Sequence, residues 1–252
     1  MNEMAEGNAF ASEGRFREAE MKYREAIRVN PNDPLAHFNL AVTLGNQGIN
    51  PEEEEREYRR AIELRPDFSQ AYKYLGKLLV DQSRYSEAER VLNEAVNRNS
   101  YDPETYFLLG FVLDEQNRTE EAVDQYHLAI WHCPRYIDAH YRLGIVLGDL
   151  MQLAEAEHEF REVLRLDPTN SSAMFHLVIT LQDRAMVPQE QANLKGAVEA
   201  SPDDPSSYEN LALFQDAIGN NREARTNWER ALRLERRPHW IRFINARLRW
   251  VI

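Results

Sequence analysis

The chain is short of the groups that most covalent architecture and most catalysis depend on. Cys133 is the single cysteine among 252 residues, which excludes an internal disulfide framework and a cysteine-rich zinc site. No apolar run approaches the roughly 18 residues that would span a bilayer. The first ten residues, MNEMAEGNAF, have neither the basic region nor the apolar core of a secretory signal, so a cytoplasmic location is the expectation. A glycine-rich phosphate loop, a G-x-S-x-G turn and an H-E-x-x-H helix are all absent. The seven histidines are scattered. His127, His132 and Cys133 stand near one another, but residues five and six apart on one helix do not share a face. No catalytic residue, cofactor or metal site is therefore expected, and the chain reads as something other than an enzyme.

Positive charge is also scarce. The net charge is −12, with only four lysines against 26 arginines. A strongly acidic protein repels phosphate backbones, which argues against nucleic acid as a partner. What positive charge exists is concentrated late: residues 222 to 249 carry nine arginines against Glu223, Glu229 and Glu235. Hydrophobic content, 43%, is that of a folded chain rather than a disordered one.

What the sequence does have is a period. Ala-x-x-x-x-Pro recurs as Ala26 with Pro31, Ala61 with Pro66, Ala129 with Pro134 and Ala197 with Pro202, with Val163 and Pro168 as a variant. The spacing is 34 residues, with one step of 35 between Ala26 and Ala61. Upstream lie the pairs Leu75-Gly76, Leu109-Gly110 and Leu143-Gly144. A second small residue follows, at Ala19, Ala88, Ala122, Ala156 and Ala224, and a large one four further on, at Tyr23, Leu92, Tyr126, Phe160 and Trp228. Small residues let two antiparallel helices cross closely, and large ones fill the space beside the crossing. Proline then ends the second helix, and Asp33-Pro34, Asp102-Pro103 and Asp204-Pro205 supply an N-cap and a first helical residue for the next. The extra residue falls at Asn50-Pro51, which itself reads as a helix start; the acids Glu52 to Glu55 and Glu120-Glu121 then read as solvated charge complementing helix dipoles. His37 and His140, at the places held elsewhere by Tyr72, Tyr106 and Tyr208, read as packing residues.

This pattern resembles the tetratricopeptide-repeat family across nearly the whole chain. The resemblance implies an all-α, right-handed solenoid of antiparallel helix pairs, one domain over 1–252. Its repeats fall at about 1–33, 34–68, 69–102, 103–136, 137–170, 171–204 and 205–238, with a capping helix over 239–252. The sixth repeat departs most, with Val178 where a small residue belongs and Glu190 where alanine belongs, so its helices should pack less closely.

The resemblance further implies a scaffold or adaptor that binds a peptide segment of a partner protein along the first helices of the pairs. Candidate contacts are Asn8, Asn39, Lys73 and Lys77, then Phe107, Phe111, Tyr141, Arg142, Ile145 and Phe175, with Leu108 beside them. Some members grip a C-terminal carboxylate with lysines and asparagines. Asn8, Asn39, Lys73 and Lys77 match that arrangement, and Met4 replaces its first lysine. The aromatics look surplus to the core, whose places are already filled by Tyr106, Leu109, Leu113, Leu143 and Leu147. The asparagine ladder of the family's serine-glycosylating enzyme is absent: its places hold Asn39, Tyr74, Leu108, Arg142, His176 and Asn210. Two alternatives stay open. One is a structural protein that self-associates weakly through Phe243 and Trp250 of the final helix, beside Trp240, Ile244, Leu248, Val251 and Ile252. The other is a regulatory module of a larger enzyme.

Overall fold

The protein is described over residues 2–250 by a computed structural model. Among those residues it is all-α, with fifteen helices in sequence and no strand. They divide into two compact units, Met1–Pro134 and Arg135–Ile252. Unit 1 holds four pairs: α1 (Glu3–Ser12) with α2 (Phe16–Val29), α3 (Pro34–Gln47) with α4 (Pro51–Leu64), α5 (Ser69–Asp81) with α6 (Tyr85–Arg98), and α7 (Pro103–Glu115) with α8 (Thr119–His132). Unit 2 holds α9 (Ile137–Asp149) with α10 (Leu153–Leu166), α11 (Ser171–Asp183) with α12 (Val187–Ala200), α13 (Pro205–Ala217) with α14 (Asn221–Leu234), and the closing α15 (Pro238–Trp250).

The repeat's small and large positions do what their chemistry suggests. Ala19, Ala88, Ala122, Ala156 and Ala224 are fully buried at the crossings, with Tyr23, Tyr58, Leu92, Tyr126, Phe160 and Trp228 buried beside them. A methyl group added at Gly110 would come within 2.9 Å of the Tyr126 ring, and one at Gly144 within 2.7 Å of Phe160. Only hydrogen at those positions lets the two helices of a pair approach this far. Between the helices of every pair, a residue takes the left-handed conformation: Gly14, Gly48, Ser83, Asn117, Met151, Ala185 and Gly219, with Asn50 as a second in the second pair.

Helix starts are chemically specified. Asp33 accepts from the Leu35 amide at 2.9 Å and Asp204 from the Ser206 amide at 3.1 Å. Asn50 takes the inserted position at φ 52° and accepts from the Glu53 amide. Asp102 differs from expectation. Its side chain caps no amide; instead it accepts from the Thr105 hydroxyl at 2.7 Å and lies 3.2 Å from the Lys73 ammonium. A nearby cation outcompetes a neutral amide for the carboxylate.

Two repeats depart from the pattern. In the sixth, Val178 is buried where other pairs have glycine or alanine, and no residue of α12 is buried. α11 packs directly on α13. In the second, Glu54 stands at the alanine place, 35 residues after Ala19 and 34 before Ala88. It is not part of a solvated acidic face, as the sequence suggested, but only 9% exposed. The final helix closes unit 2 through Trp240 and Ile244, both buried. Val251 and Ile252, and the side chain of Trp250, lie outside the described residues.

Candidate functional site

In unit 1 the polar candidates lie on successive first helices. The exposed Asn8 accepts from the Tyr23 hydroxyl at 2.8 Å and from the Asn39 side-chain amide at 3.1 Å. Met4 packs on the core of the first pair. The two lysines differ. Lys73, 15% exposed, donates to Glu104 at 2.7 Å and lies 3.2 Å from Asp102. Burial works to discharge it, and the two carboxylates more than offset this, holding its pKa above the usual lysine value. Its charge is thus already compensated within the fold. Lys77 is 52% exposed and 3.9 Å from Glu104.

The apolar candidates divide by burial. Leu108, read from sequence as a surface residue, is buried. Phe107 is half-buried, its ring 5.9 Å from Tyr126, and Phe111 lies 6.4 Å from Tyr85. In unit 2, Tyr141 is half-buried against Phe160 at 6.2 Å and His176 at 5.6 Å. His176 also stacks on Phe160 at 5.5 Å, and its pKa is lowered by burial, which favours the neutral ring. Arg142 and Ile145 on α9 are half-buried too. Phe107 and Tyr141 thus lean onto a ring in the second helix of their own pair, and Phe111 onto Tyr85 of the preceding pair, which the repeat pattern alone does not reveal.

Phe175 and Ile179 on α11 are different: they are 52% and 38% exposed and stand one turn apart. The core places of α11 are filled by Met174, Leu177, Val178 and Leu181, all buried. Beside Phe175 is a pocket of about 150 Å³ with Met174 and Leu213 in its wall and Asp216 and Arg247 at its polar end. Asp216 accepts from the Trp228 indole N–H at 2.8 Å, and burial raises its pKa.

Phe243 is half-buried, edge-on to Trp228 at 5.8 Å and to Trp240 at 5.5 Å. Its ring therefore serves the closing contact of α15 on α14. His37 and His140 are buried, each 2.6 Å from a glutamate of its pair, Glu57 and Glu159. Among the described residues no group of three or more His, Cys, Asp or Glu is placed to hold a metal ion, and no helix is long and apolar enough to cross a membrane.

Sequence reasoning missed Glu54. Its carboxyl accepts from the Tyr58 hydroxyl, and burial, aided by the nearby Asp81 charge, pushes its pKa up to about 7. The signal was available: the spacing that marks Ala19 and Ala88 lands on this acid.

Paired helices repeating every 34 residues, with glycine or alanine at the crossings, define a helical-repeat scaffold. Models described as TPR repeat or tetratricopeptide repeat match residues 7–48, 74–136 and 137–170, together over half of the chain. The chain belongs to the tetratricopeptide-repeat family. It is 31% identical over 102 residues to Hsp70-Hsp90 organizing protein 3 of Arabidopsis thaliana, covering 40% of this chain and 18% of that protein. The chain therefore spans less than a fifth of that relative. Among solved structures, PilF of Pseudomonas aeruginosa matches with a TM-score of 0.67 at 16% identity, over 86% of this chain and 96% of that one. YrrB, a TPR protein with an unusual peptide-binding site, matches with a TM-score of 0.60 at 23% identity, over 73% and 95%. At such identities the likeness establishes the fold.

Proposed function

We propose that this protein is a non-enzymatic interaction scaffold that captures an extended segment of a partner protein on the first helices of its pairs, with apolar anchors on α11. One observation carries the reading. Phe175 and Ile179 remain exposed on a helix whose core positions are already filled. Apolar side chains with no core role, next to a pocket that could seat one more, are the usual composition of a binding hot spot. Family membership and the likeness to YrrB support a peptide as the ligand.

Peptides selected from a displayed random 12-residue library on the wild-type protein test this. A large aromatic anchor is worth about 2 kcal/mol, so Phe175→Ala with Ile179→Ser should weaken the selected peptides about thirtyfold or more. Lys73→Ala, by contrast, should act mainly on stability, since its partners Asp102 and Glu104 lie within the fold. Selected peptides that bind the α11 variant as well as the wild type would refute the reading.

A further inference from the structure

The second repeat contains a pocket at its helix crossing. It is an opening of about 200 Å³ between α3, α4 and α5 of unit 1, and its wall includes Gly45, Glu54, Tyr58, Tyr74, Lys77 and Asp81. One departure from the repeat and one small residue shape it together. Glu54 replaces the alanine of the crossing, and Gly45, one turn beyond Ala41, removes the side chain that would stand in its way. A methyl group at Gly45 would lie 2.6 Å from the Glu54 carboxylate oxygen. The acid thus reaches past α3 into the opening, where Asp81 from the end of α5 faces it.

The sixth repeat supplies an internal comparison. It too has a glutamate at the alanine place, Glu190, and that carboxylate is gripped at both oxygens by Arg161 at 2.9 Å. Among the described residues, Glu54 and Asp81 have no cationic partner. Lys77, on the pocket wall, is turned toward Glu104 of α7. A buried carboxyl facing a second acid without a cation is costly to the fold, and its pKa, raised to about 7, reflects that cost.

We propose that this pocket receives a basic side chain, the guanidinium of arginine or the ammonium of lysine, from the bound partner segment. The donor set fits. Two carboxyl groups offer paired acceptors to a planar or compact cation, the Tyr58 and Tyr74 rings give the aliphatic stem an apolar wall, and the volume suits one long side chain. The net charge of −12 favours approach of a basic segment. Entry of a cation draws the proton from Glu54, so binding releases a proton near neutrality and tightens as pH rises from about 6 to 8. The proposal rests on the peptide-binding reading only for the source of the cation.

The experiment is a titration of the isotope-labelled full chain, followed by NMR, with Nα-acetyl-arginine methylamide, its lysine counterpart and the neutral isostere Nα-acetyl-citrulline methylamide. The two cations should shift the amides of Gly45, Asn46 and Tyr58 saturably, and should lower the titration midpoint of the Glu54 carboxyl carbon. Citrulline should bind at least tenfold more weakly. Glu54→Gln, and Glu54→Ala, which restores the alanine of the other crossings, should abolish the shifts. Their folding is checked by circular dichroism. A pentapeptide with central arginine should bind at least tenfold more tightly than the single blocked residue. Equal binding of citrulline, shifts that persist in Glu54→Gln, or binding seen only after Lys77→Met would each overturn the proposal. Agmatine binding as tightly as the pentapeptide would overturn the peptide as the source. Library-selected peptides that need Phe175, alongside blocked arginine that fails to bind, would sink the pocket and leave the scaffold reading standing; the reverse pattern would do the opposite.

Discussion

Met151 and Ala185 hold a backbone conformation that favours glycine, at φ 59° and 55°, in the same inter-helix turn where Gly48 and Gly219 sit at 64° and 82°. For a residue with a Cβ this conformation costs about 1–2 kcal/mol. Glycine relieves that cost but has more freedom to lose on folding, so the net gain is smaller. Met151→Gly and Ala185→Gly should each raise the unfolding free energy of unit 2 by about 0.5–1 kcal/mol in urea titrations. Gly48→Ala should lower that of unit 1 by a similar amount. Both replaced side chains are exposed, so no lost burial obscures the comparison. If the glycine variants are less stable than wild type, the left-handed turn is not where these residues store strain. Legibility at this scale was uneven. The residues that must be small or large at the crossings were visible, because the same steric demand recurs every 34 residues and leaves the same mark. Individual pairings such as Lys73 with Asp102 and Glu104 were not, because they depend on which long side chain reaches which neighbour, and no period encodes that.

At the scale of the element, the sixth pair shows how a repeat fails locally. Val178 adds bulk where α11 and α12 should cross, and Glu190 needs a cation, which it finds in Arg161 of α10. α12 therefore lies on its neighbours without burying a residue, whereas α10 buries Ala156, Glu159, Phe160 and Val163. The sequence pointed to this pair for the right reasons, since both departures sit at positions where the pattern is strict. The extent was not legible, because how far a helix retreats depends on what it can still reach. Part of what it reaches is ionic. A recurring link joins successive second helices, Arg24 to Glu53, Arg84 to Glu55 and Arg118 to Glu89 in unit 1 and Arg161 to Glu190 in unit 2, each 29 residues apart. Such partly exposed pairs contribute about 0–1 kcal/mol each, enough to orient a helix but little against the burial of a phenylalanine. Amide exchange should therefore open Val187–Ala200 well before Leu153–Leu166, by about tenfold or more in rate. Equal protection of the two helices would show that α12 draws stability from something other than burial.

For the whole molecule, three buried or half-paired carboxyl groups set how stability responds to pH. Glu54 in unit 1 and Glu209 in unit 2 both have pKa values raised to about 7: Glu54 by burial and then by Asp81, Glu209 by burial and then by the hydrogen bond it shares with Glu235. Glu235 is lowered to about 2, chiefly by Arg237, with the amides of Arg236 and Arg237 also donating to it at 2.7 Å. An acid whose folded pKa is raised contributes stability that is fully present below its unfolded pKa, near 4.5, and lost as pH rises through about 7. One whose folded pKa is lowered contributes stability present above 4.5 and lost as pH falls toward 2. The half-buried His176, whose pKa burial lowers, works weakly the other way, adding stability as pH rises toward 6.5. Two raised acids outweigh one histidine, so thermal stability should peak near pH 5 and decline toward pH 8. Glu54→Ala restores the residue used at the other crossings and should flatten the decline for unit 1, with a gain of about 1–2 kcal/mol at pH 8 and little change at pH 5. Glu209→Gln, which can still donate to Glu235, should do the same for unit 2. A wild-type profile that is level between pH 5 and 8, or a Glu54→Ala variant that is destabilised equally at both ends, would mean that the carboxyl at the second crossing is already charged and satisfied.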